Sequence, residues 1–392
     1  MSIPLNSDPM NHDPITHEPI TRDQLSGPRL QKEAASDSST SLRLLLRHPL
    51  LRPLAALVLL LVVDFFMIPV FFRLEWKDGH LYGSLIDIVN RAAPLILTAL
   101  GMTLVIATRG IDISVGAVVA ISGTVAALLI GGTMEMHNGV PEYASRIPMI
   151  WALAAAMGAA ILCGVWNGFL VATLGLQPII ATLILMVGGR GLAQLLTDGQ
   201  IITVYYKPFF YIGSGYLFGL PFSLFIAIGV FIVVALLMRK TALGLFIQTV
   251  GINPVAARLA GIRTAALIFF VYMFCSACAG VAGLMISSNI KSADANNAGL
   301  LLELDAILAV TLGGTSLAGG KFSLVGSVIG ALIIQALTYT IYSMGVPPEV
   351  NMVVKSVVVF AVCLSQSPEF RGLGTELFGG AGRSRSSNGK KK

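Results

Sequence analysis

Uncharged amide side chains within long apolar stretches are the first residues in this sequence that could do chemistry. They lie at or inside these stretches, at Asn90, Asn167, Gln194, Gln335 and Asn351. A polar group in apolar surroundings is costly unless it faces a cavity or a hydrogen-bonding partner. An amide donates and accepts hydrogen bonds without carrying a charge. Two roles therefore stay open: these residues line a path for a hydroxyl-rich solute, or they bond between helices and hold a bundle together.

Residue types that support metal, redox or nucleophilic chemistry are poorly placed. All five histidines lie outside the long apolar stretches, at His12, His17, His48, His80 and His137. Cys275 and Cys278 form a C-x-x-C pattern, which is typical of redox or metal sites. Both lie in an apolar stretch, where a pair of small apolar residues on one helix face is the favoured interpretation. We expect no metal and no catalytic residue in this chain.

A glycine-rich segment at 313–323 resembles a nucleotide-binding loop but departs from its spacing. The phosphate-binding pattern G-x-x-x-x-G-K-[ST] requires Gly at the position of Thr315 and a hydroxyl at the position of Phe322. Without that hydroxyl, the metal of a bound nucleotide lacks a ligand. We expect a tight turn between two helices here, no cofactor on this chain and no hydrolysis of ATP by it.

The elements that must position these residues are transmembrane helices. The 392 residues are 55% hydrophobic and 12% charged, whereas soluble domains carry roughly 25% charged residues. So much apolar surface needs a bilayer as its solvent. The net charge of +6 could indicate nucleic acid, but the basic residues mostly flank apolar stretches, which is typical of orientation in a membrane. We therefore expect membrane lipid, and no nucleic acid, as a partner.

The sequence predicts an all-α, polytopic integral membrane protein with about ten transmembrane helices. Apolar stretches of helix length lie at 54–72, 89–107, 114–133, 148–173, 178–197, 221–238, 265–288, 304–318, 324–343 and 350–366. Polar residues 1–41 predict a disordered tail, residues 42–370 the transmembrane domain, and residues 371–392 a basic tail. Lys and Arg concentrate on the side that carries both termini, which we therefore place in the cytoplasm.

The longest connection predicted on the cytoplasmic side, at 239–263, contains the signals for a short helix. Asn253 and Pro254 form a helix start, and Gly261 suits the end of the helix. A small helix with an alanine face could enter a groove on a partner protein. The alternative is an ordinary amphipathic connector.

Several segments resemble a known family. Residues 239–263 resemble the coupling loop of ABC-type permeases, the element that docks on an ATPase subunit. Residues 101–116 and 312–320 are similar to signature segments of the ribose-type branch of sugar permeases. Within that branch, the segments most similar to galactofuranose permeases are 90–94, 181–187 and 292–300. The resemblance covers roughly residues 50–370.

The resemblance implies an ABC importer permease bundle in a bacterial inner membrane, paired with a second permease subunit that is identical or related. A separate ABC ATPase subunit would hold ATP and Mg²⁺ and drive alternating access, and an extracytoplasmic sugar-binding protein would deliver the sugar. The five amides then become candidates for contact with a monosaccharide, galactofuranose or a related sugar. The residues implied in coupling to the ATPase are Gly251, Asn253, Pro254, Ala256, Ala257, Arg258 and Gly261.

Two rival functions have distinct requirements. An ion-coupled secondary sugar transporter would need an ionisable relay at the membrane midplane. Glu303 and Asp305 are the only close pair of carboxylates near a predicted span, and we expect them at its outer end. Asp112, beside Arg109, favours a helix start or a local ion pair over a proton carrier. An intramembrane enzyme would need a nucleophile with its base, or a metal site, which the histidine positions do not support.

Overall fold

The computed structural model describes residues 50–68, 71–77, 79–137 and 140–345, followed by residues 347, 350, 352–354, 356, 357 and 360. The chain divides into two units, Met1–Leu51 and Arg52–Lys392. Almost all of the first unit lies outside the described residues, as do both predicted tails. The fold described below is therefore that of the second unit, together with Leu50 and Leu51.

Within the described residues, α-helices account for nearly all of the regular structure. They are α1 (Leu51–Met67), α2 (Ser84–Ala107), α3 (Val115–Ile130), α4 (Met149–Gly168), α5 (Pro178–Leu196), α6 (Lys207–Ser214), α7 (Phe222–Lys240), α8 (Leu243–Ile252), α9 (Pro254–Leu259), α10 (Thr264–Ile290), α11 (Leu302–Leu312) and α12 (Leu324–Ser343). A π-helical turn at Phe169–Thr173 continues α4. The all-α class is confirmed.

Short antiparallel ribbons, which the sequence analysis did not predict, join the helices. They pair β1 (Glu75–Lys77) with β2 (His80–Tyr82), β3 (Thr133–His137) with β4 (Val140–Ala144), β6 (Tyr216–Leu217) with β7 (Leu220–Pro221), and β5 (Ile202–Thr203) with β8 (Ser292–Ala293). The first three are local hairpins. The fourth connects segments far apart in sequence, and so fixes the end of α10 beside the connection that follows α5.

Six of the described helical segments are long and apolar enough to cross a membrane: Ser84–Ala107, Met149–Thr173, Pro178–Leu196, Phe222–Lys240, Thr264–Ile290 and Leu324–Ser343. Three other predicted spans are shorter than expected, because α1, α3 and α11 have 17, 16 and 11 residues. The tenth predicted span, 350–366, lies largely outside the described residues. The structure therefore confirms a protein of many apolar helices but does not confirm ten spans.

The longest helix, α10, is the centre of the bundle and packs on α2, α3 and α4. Small residues allow this close approach. A Cβ on Gly101 of α2 would lie 2.8 Å from the Cα atom of Cys275, and a Cβ on Gly164 of α4 would lie 2.6 Å from the Cα atom of Met273. Helices in lipid associate through such small-residue contacts, because lipid tails are as apolar as the helices themselves. Cys275 and Cys278 are buried free thiols in this core.

Candidate functional site

Five helices (α2, α6, α7, α10 and α12) converge on a cavity of about 240 Å³. The residues that line it are Asn90, Arg91, Pro94, Gly213, Ser223, Met285, Ile286, Asn289, Ile290 and Gln335. Two of the five amides singled out from the sequence, Asn90 and Gln335, therefore face the same space. The other polar side chains around it, apart from Arg91, are also uncharged, so the cavity suits a neutral polar ligand.

Hydrogen bonds between helices hold part of this lining in place. The Ser223 hydroxyl donates to Asn90 Oδ1, which ties α7 to α2. The Asn289 amide donates to the carbonyl of Gly213 at 3.0 Å, and so ties α10 to α6. Within the described part of the chain, neither the Gln335 amide nor the Arg91 guanidinium makes a hydrogen bond. These two groups keep their full hydrogen-bonding capacity toward the cavity.

The short helix α6 forms one wall of the cavity and is seated tightly on α10. The Gly213 amide donates to Ser288 Oγ at 2.7 Å, and the Ser288 hydroxyl donates to the carbonyl of Phe209 at 2.7 Å. A Cβ on Gly213 would lie 2.5 Å from the amide nitrogen of Asn289. Glycine is therefore required for this approach, and the cavity wall is rigid where α6 meets α10.

Two of the other three predicted path residues, Asn167 and Gln194, lie away from the cavity. Asn167 is buried near the end of α4, where its amide donates to Ser114 Oγ at 2.8 Å. Gln194, on α5, donates to Asn296 Oδ1 at 2.7 Å. Asn351 lies outside the described residues. The five amides therefore do not form a single site, and Asn167 and Gln194 make the bonds between segments that the alternative role requires.

Asp112 lies in the break between α2 and α3 and is fully buried. Its Oδ1 atom accepts hydrogen bonds from the Ser114 amide at 3.0 Å and the Ser114 hydroxyl at 2.6 Å. These bonds form a turn around Ser114, the residue that immediately precedes α3, so Asp112 shapes the approach to this helix without capping it. The alternative ion pair with Arg109 does not form. The Arg109 guanidinium donates instead to the carbonyls of Gly251 and Ile252, both at 2.6 Å.

Sequence reasoning gave no role to a clamp formed by Arg190. Its Nη1 atom donates to three backbone carbonyls, those of Ala295 at 3.2 Å, Asn296 at 3.2 Å and Ala298 at 2.7 Å. Arg190 thereby holds the connection between α10 and α11 against α5. The preference of arginine for several acceptors at once was the available signal, but no sequence pattern indicated the carbonyls.

Asp294 shapes the same connection. Burial acts to raise the pKa of its carboxyl, but hydrogen bonds from the Asn297 side chain and from the amides of Asn297 and Asn296 leave that pKa below its ordinary value. The carboxylate is therefore ionised at neutral pH and fixes a tight turn.

Two carboxyl groups, those of Glu303 and Asp64, are buried in the bundle. Glu303 lies in the first turn of α11, is only 3% exposed and packs against Gly116 at the start of α3. Asp64, on α1, was missed altogether. It is fully buried and accepts a hydrogen bond from the Thr340 hydroxyl at 2.6 Å. A single carboxyl within an apolar helix was the signal, and its partner on α12 explains why the residue is tolerated there.

The segment 239–263 contains more structure than predicted. An additional apolar helix, α8, precedes the expected short helix α9. The start of α9 is confirmed, because Asn253 Oδ1 accepts hydrogen bonds from the amides of Val255 at 3.0 Å and Ala256 at 3.1 Å. Pro254 is the first residue of α9. The end is confirmed as well, since Gly261 has a φ of 85°, in the left-handed region that glycine adopts most easily.

The expected alanine face on α9 is exposed only in part. Ala256 and Arg258 are exposed, but Ala257 is fully buried against the rest of the chain. Successive helical residues are separated by about 100°, so Ala256, Ala260 and Ala257 follow one another across an arc of about 100°. Ala257 lies at the edge of that arc that packs on the chain, and Ala256 and Ala260 are exposed. The large apolar residues exposed on α9 are Val255 and Leu259, at 62% and 86% exposure.

Gly251 is also unavailable to a partner. It is buried where α8 meets the end of α2, and a Cβ there would overlap the carbonyl of Ala107 and lie 2.5 Å from the amide of Gly320. Its role is therefore close packing within the chain. Of the predicted coupling residues, Asn253, Pro254 and Gly261 shape α9, and Ala256 and Arg258 lie on its surface.

Comparison with known proteins places this arrangement in a class of transport permeases. The chain matches the family model described as "Branched-chain amino acid transport system / permease component" over residues 84–363. The chain belongs to this family of multi-pass membrane permeases.

Relatives match along most of their length. The galactofuranose transporter permease protein YtfT of Escherichia coli (strain K12) is 52% identical over 318 residues, which cover 81% of this chain and 89% of that protein. The fructose import permease protein FruF of Bifidobacterium longum (strain NCC 2705) is 37% identical over 89% of this chain and 96% of its own length. The ribose import permease protein RbsC of Escherichia coli (strain K12) is 36% identical, with coverage of 80% and 92%. No solved structure shows a significant match. The resemblance to the ribose-type branch is confirmed.

Proposed function

We propose that this chain is the membrane-spanning subunit of an ATP-driven importer for a monosaccharide, with galactofuranose as the first sugar to test. The observation that supports the substrate class is the cavity in which Asn90, Ser223, Asn289 and Gln335 meet. A monosaccharide offers many hydroxyl groups and no charge, and amide and hydroxyl side chains both donate to and accept from such groups. The 52% identity to a permease named for galactofuranose supports the choice of sugar.

Within this proposal, Asn90 and Gln335 contact the sugar directly, and Asn351 stays a candidate for the same role. Ser223 donates to the side-chain oxygen of Asn90, so in this proposal the Asn90 nitrogen is the group that donates to the sugar. Asn167 and Gln194 act between helices, as their hydrogen bonds suggest. A sugar that moves along this path must exchange hydrogen bonds with water for hydrogen bonds with these groups, one helix at a time.

The remaining parts of the transporter are separate chains. A second permease subunit, identical or related, completes the path, and an extracytoplasmic sugar-binding protein delivers the sugar. An ABC ATPase subunit carries ATP and Mg²⁺ and docks on the exposed surface of α9, which Val255 and Leu259 make apolar. This chain itself holds no cofactor and performs no catalysis. It lies in a bacterial inner membrane, with its transmembrane domain at 42–370 and both tails in the cytoplasm.

The substrate is tested by sugar uptake in a strain whose other sugar permeases are deleted and in which this permease is expressed with its ATPase and sugar-binding protein. Galactofuranose, ribose and fructose are supplied in turn, and we expect galactofuranose to be imported most efficiently. Uptake should persist when the ion gradient is collapsed while ATP is maintained. Loss of uptake under those conditions would instead support an ion-coupled secondary transporter.

Orientation is tested by labelling single cysteines in intact cells. Tyr205, in the connection after α5, and Val255, on α9, are both exposed positions. A cysteine at position 205 should react with a membrane-impermeant reagent, whereas one at position 255 should react only after the membrane is opened. Labelling at 255 in intact cells would contradict the proposed orientation.

A further inference from the structure

The break between α2 and α3 is joined directly to the segment that carries α9. Arg109, just after α2, donates from Nε to the carbonyl of Gly251 and from Nη2 to the carbonyl of Ile252, each at 2.6 Å. Gly251 and Ile252 are the last two residues of α8, and Asn253, the first residue after them, starts α9. The last carbonyls of a helix lack partners within it, and a cation there is also favoured by the helix dipole. Arg109 therefore supplies hydrogen-bond donors to the last two carbonyls of α8, which lack partners within the helix.

These two hydrogen bonds connect the segment that carries α8 and α9 to the rest of the bundle. Within the described residues, they are the only side-chain hydrogen bonds that tie α8 and α9 to a residue outside the segment 239–263. Arginine forms both at once because its donors are held in a fixed plane. A movement of α9 at a docked partner would therefore act on Arg109.

The backbone segments around Arg109 are closely packed. Gly320 donates its amide to the carbonyl of Ala107 at 2.9 Å. A Cβ on Gly319 would lie 2.5 Å from Cγ of Arg109, and Gly251 packs on the same carbonyl of Ala107. The ends of α2 and α8 and the turn before α12 therefore meet through their backbones. Arg109 itself has a φ of 65°, an uncommon conformation for a non-glycine residue, which directs its side chain out of the line of α2.

The other end of the break is fixed in the bundle. Asp112, three residues after Arg109, is fully buried and accepts a hydrogen bond from the amide of Ser114, the residue just before α3. Asn167 of α4 donates to Ser114 in the same buried cluster. Because Asp112 is fixed in the bundle, a displacement of Arg109 would be passed along residues 109–112 to the start of α3.

We propose that Arg109 is a positioning residue that transmits the movement of α9 to α3, and thereby couples the ATPase cycle to the transport path. This inference rests on the proposed function, since it requires an ATPase docked on α9. Arg109 touches neither the sugar nor the docking surface in this proposal. Its loss should therefore uncouple two activities without abolishing either partner's binding.

The test uses the reconstituted complex of permease, ATPase and sugar-binding protein, with Arg109→Gln and Arg109→Lys variants. The ATPase should co-purify normally with both, because the exposed face of α9 is unchanged. The number of sugar molecules imported per ATP hydrolysed should fall roughly tenfold or more in Arg109→Gln, the effect expected for loss of hydrogen bonds from a charged group. Arg109→Lys should be intermediate, since lysine keeps the charge but loses the paired geometry. Lys321→Gln, which removes an exposed charge near the same turn, should leave the ratio unchanged.

A second pair of variants displaces Arg109 without replacing it. Gly319 and Gly314 have similar left-handed conformations, with φ of 84° and 88°, but only Gly319 faces Arg109, and nothing lies within 4 Å of a Cβ on Gly314. Gly319→Ala should therefore lower the number of sugar molecules imported per ATP hydrolysed, whereas Gly314→Ala should leave this number unchanged.

The possible outcomes separate the two proposals. An unchanged ratio in Arg109→Gln, or equal falls in transport and hydrolysis, would overturn the coupling role and leave Arg109 as a structural cap. If Arg109→Gln does not insert, the same measurement on Arg109→Lys and on the Gly319 and Gly314 pair decides the question. Failure of the unaltered permease to bind any ATPase would instead contradict the proposed function.

Discussion

The cavity and the Arg109 junction differ in how much space their residues leave. Around the cavity, side chains from five helices enclose about 240 Å³, and Gln335 makes no hydrogen bond to the described part of the chain. At the junction, Gly251, Gly319 and Gly320 bring three backbones into direct contact. A region that must admit a solute needs unfilled space and unpaired groups, whereas one that must transmit a displacement needs neither.

This contrast predicts opposite responses to added volume. Transport proteins need some elements that yield and others that move as rigid bodies. A larger side chain at the junction should disturb the whole assembly, since close-packed interiors cannot absorb even one methyl group without a shift. A change in the cavity lining should alter affinity for the sugar and little else.

The largest effect is expected from Gly251→Val. Its Cβ would overlap the carbonyl of Ala107, and the two backbones would have to separate. Overpacking typically costs about 1–3 kcal/mol even where side chains can adjust, and backbone atoms adjust less. We expect the amount of folded permease in the membrane to fall sharply and uptake to be lost. Gly158→Val is the matched control, because nothing lies within 4 Å of a Cβ at Gly158. Normal abundance and uptake in Gly251→Val would show that the junction is not close-packed.

A pair of α9 variants should separate packing from docking. Ala257 is fully buried, so Ala257→Trp should lower the abundance of the permease through overpacking. Leu259 is 86% exposed, so Leu259→Ser should leave abundance unchanged. If an ATPase covers Leu259, loss of this apolar contact should weaken co-purification of the ATPase roughly tenfold, as expected for a buried leucine side chain. Unchanged co-purification in Leu259→Ser would remove this surface from the docking site.

The cavity prediction concerns affinity alone. Gln335→Ala should raise the KM for sugar uptake by roughly two- to tenfold, the range expected for one neutral hydrogen bond, with little change in maximal rate. Asn90→Ala should have a similar effect, increased by the loss of its bond to Ser223. Thr338→Ala, also on α12, is the control, because its hydroxyl donates only to the carbonyl of Ile334 and does not line the cavity. Equal KM values in Gln335→Ala and Thr338→Ala would exclude Gln335 from the path.

The junction and the cavity also differ in how far the sequence predicted them. The helix start at Asn253 and Pro254 and the end at Gly261 depend on local chemistry, and the structure confirms both. The turn that Asp112 forms with Ser114 just before α3 is equally local. Residues three or four apart decide such features, so the sequence contains the necessary information.

Features that depend on distant contacts were not predictable in the same way. Arg109 bonds to residues 142 and 143 positions away, and Asp64 to a hydroxyl 276 positions away. Hydropathy predicted the apolar stretches at α3 and α11 but gave both too great a length. It cannot tell a full span from a shorter helix that begins within the bundle. Asn90 and Gln335 line the cavity, whereas Asn167 is buried away from it. This difference depends on tertiary packing, which the sequence pattern does not contain.

The smallest expected effect is on thermal stability, and it concerns the turn at Asp294. This turn is local and partly exposed, so it belongs neither to the cavity nor to the Arg109 junction. The folded-state pKa of Asp294 is lowered, so its carboxylate contributes stability above the pKa of the unfolded chain, and that contribution is lost as pH falls through the folded pKa. The contribution should be small, because solvent screens a carboxylate with this exposure.

Asp294→Asn should therefore lower the melting temperature of the detergent-purified permease slightly at pH 7. The difference from the unaltered protein should shrink toward zero as pH falls through the lowered folded-state pKa of Asp294, since both side chains are neutral below it. Thermal unfolding of the two proteins across this pH range measures the difference directly. A gap that stays constant with pH would show that the turn depends on side-chain shape rather than on the carboxylate charge.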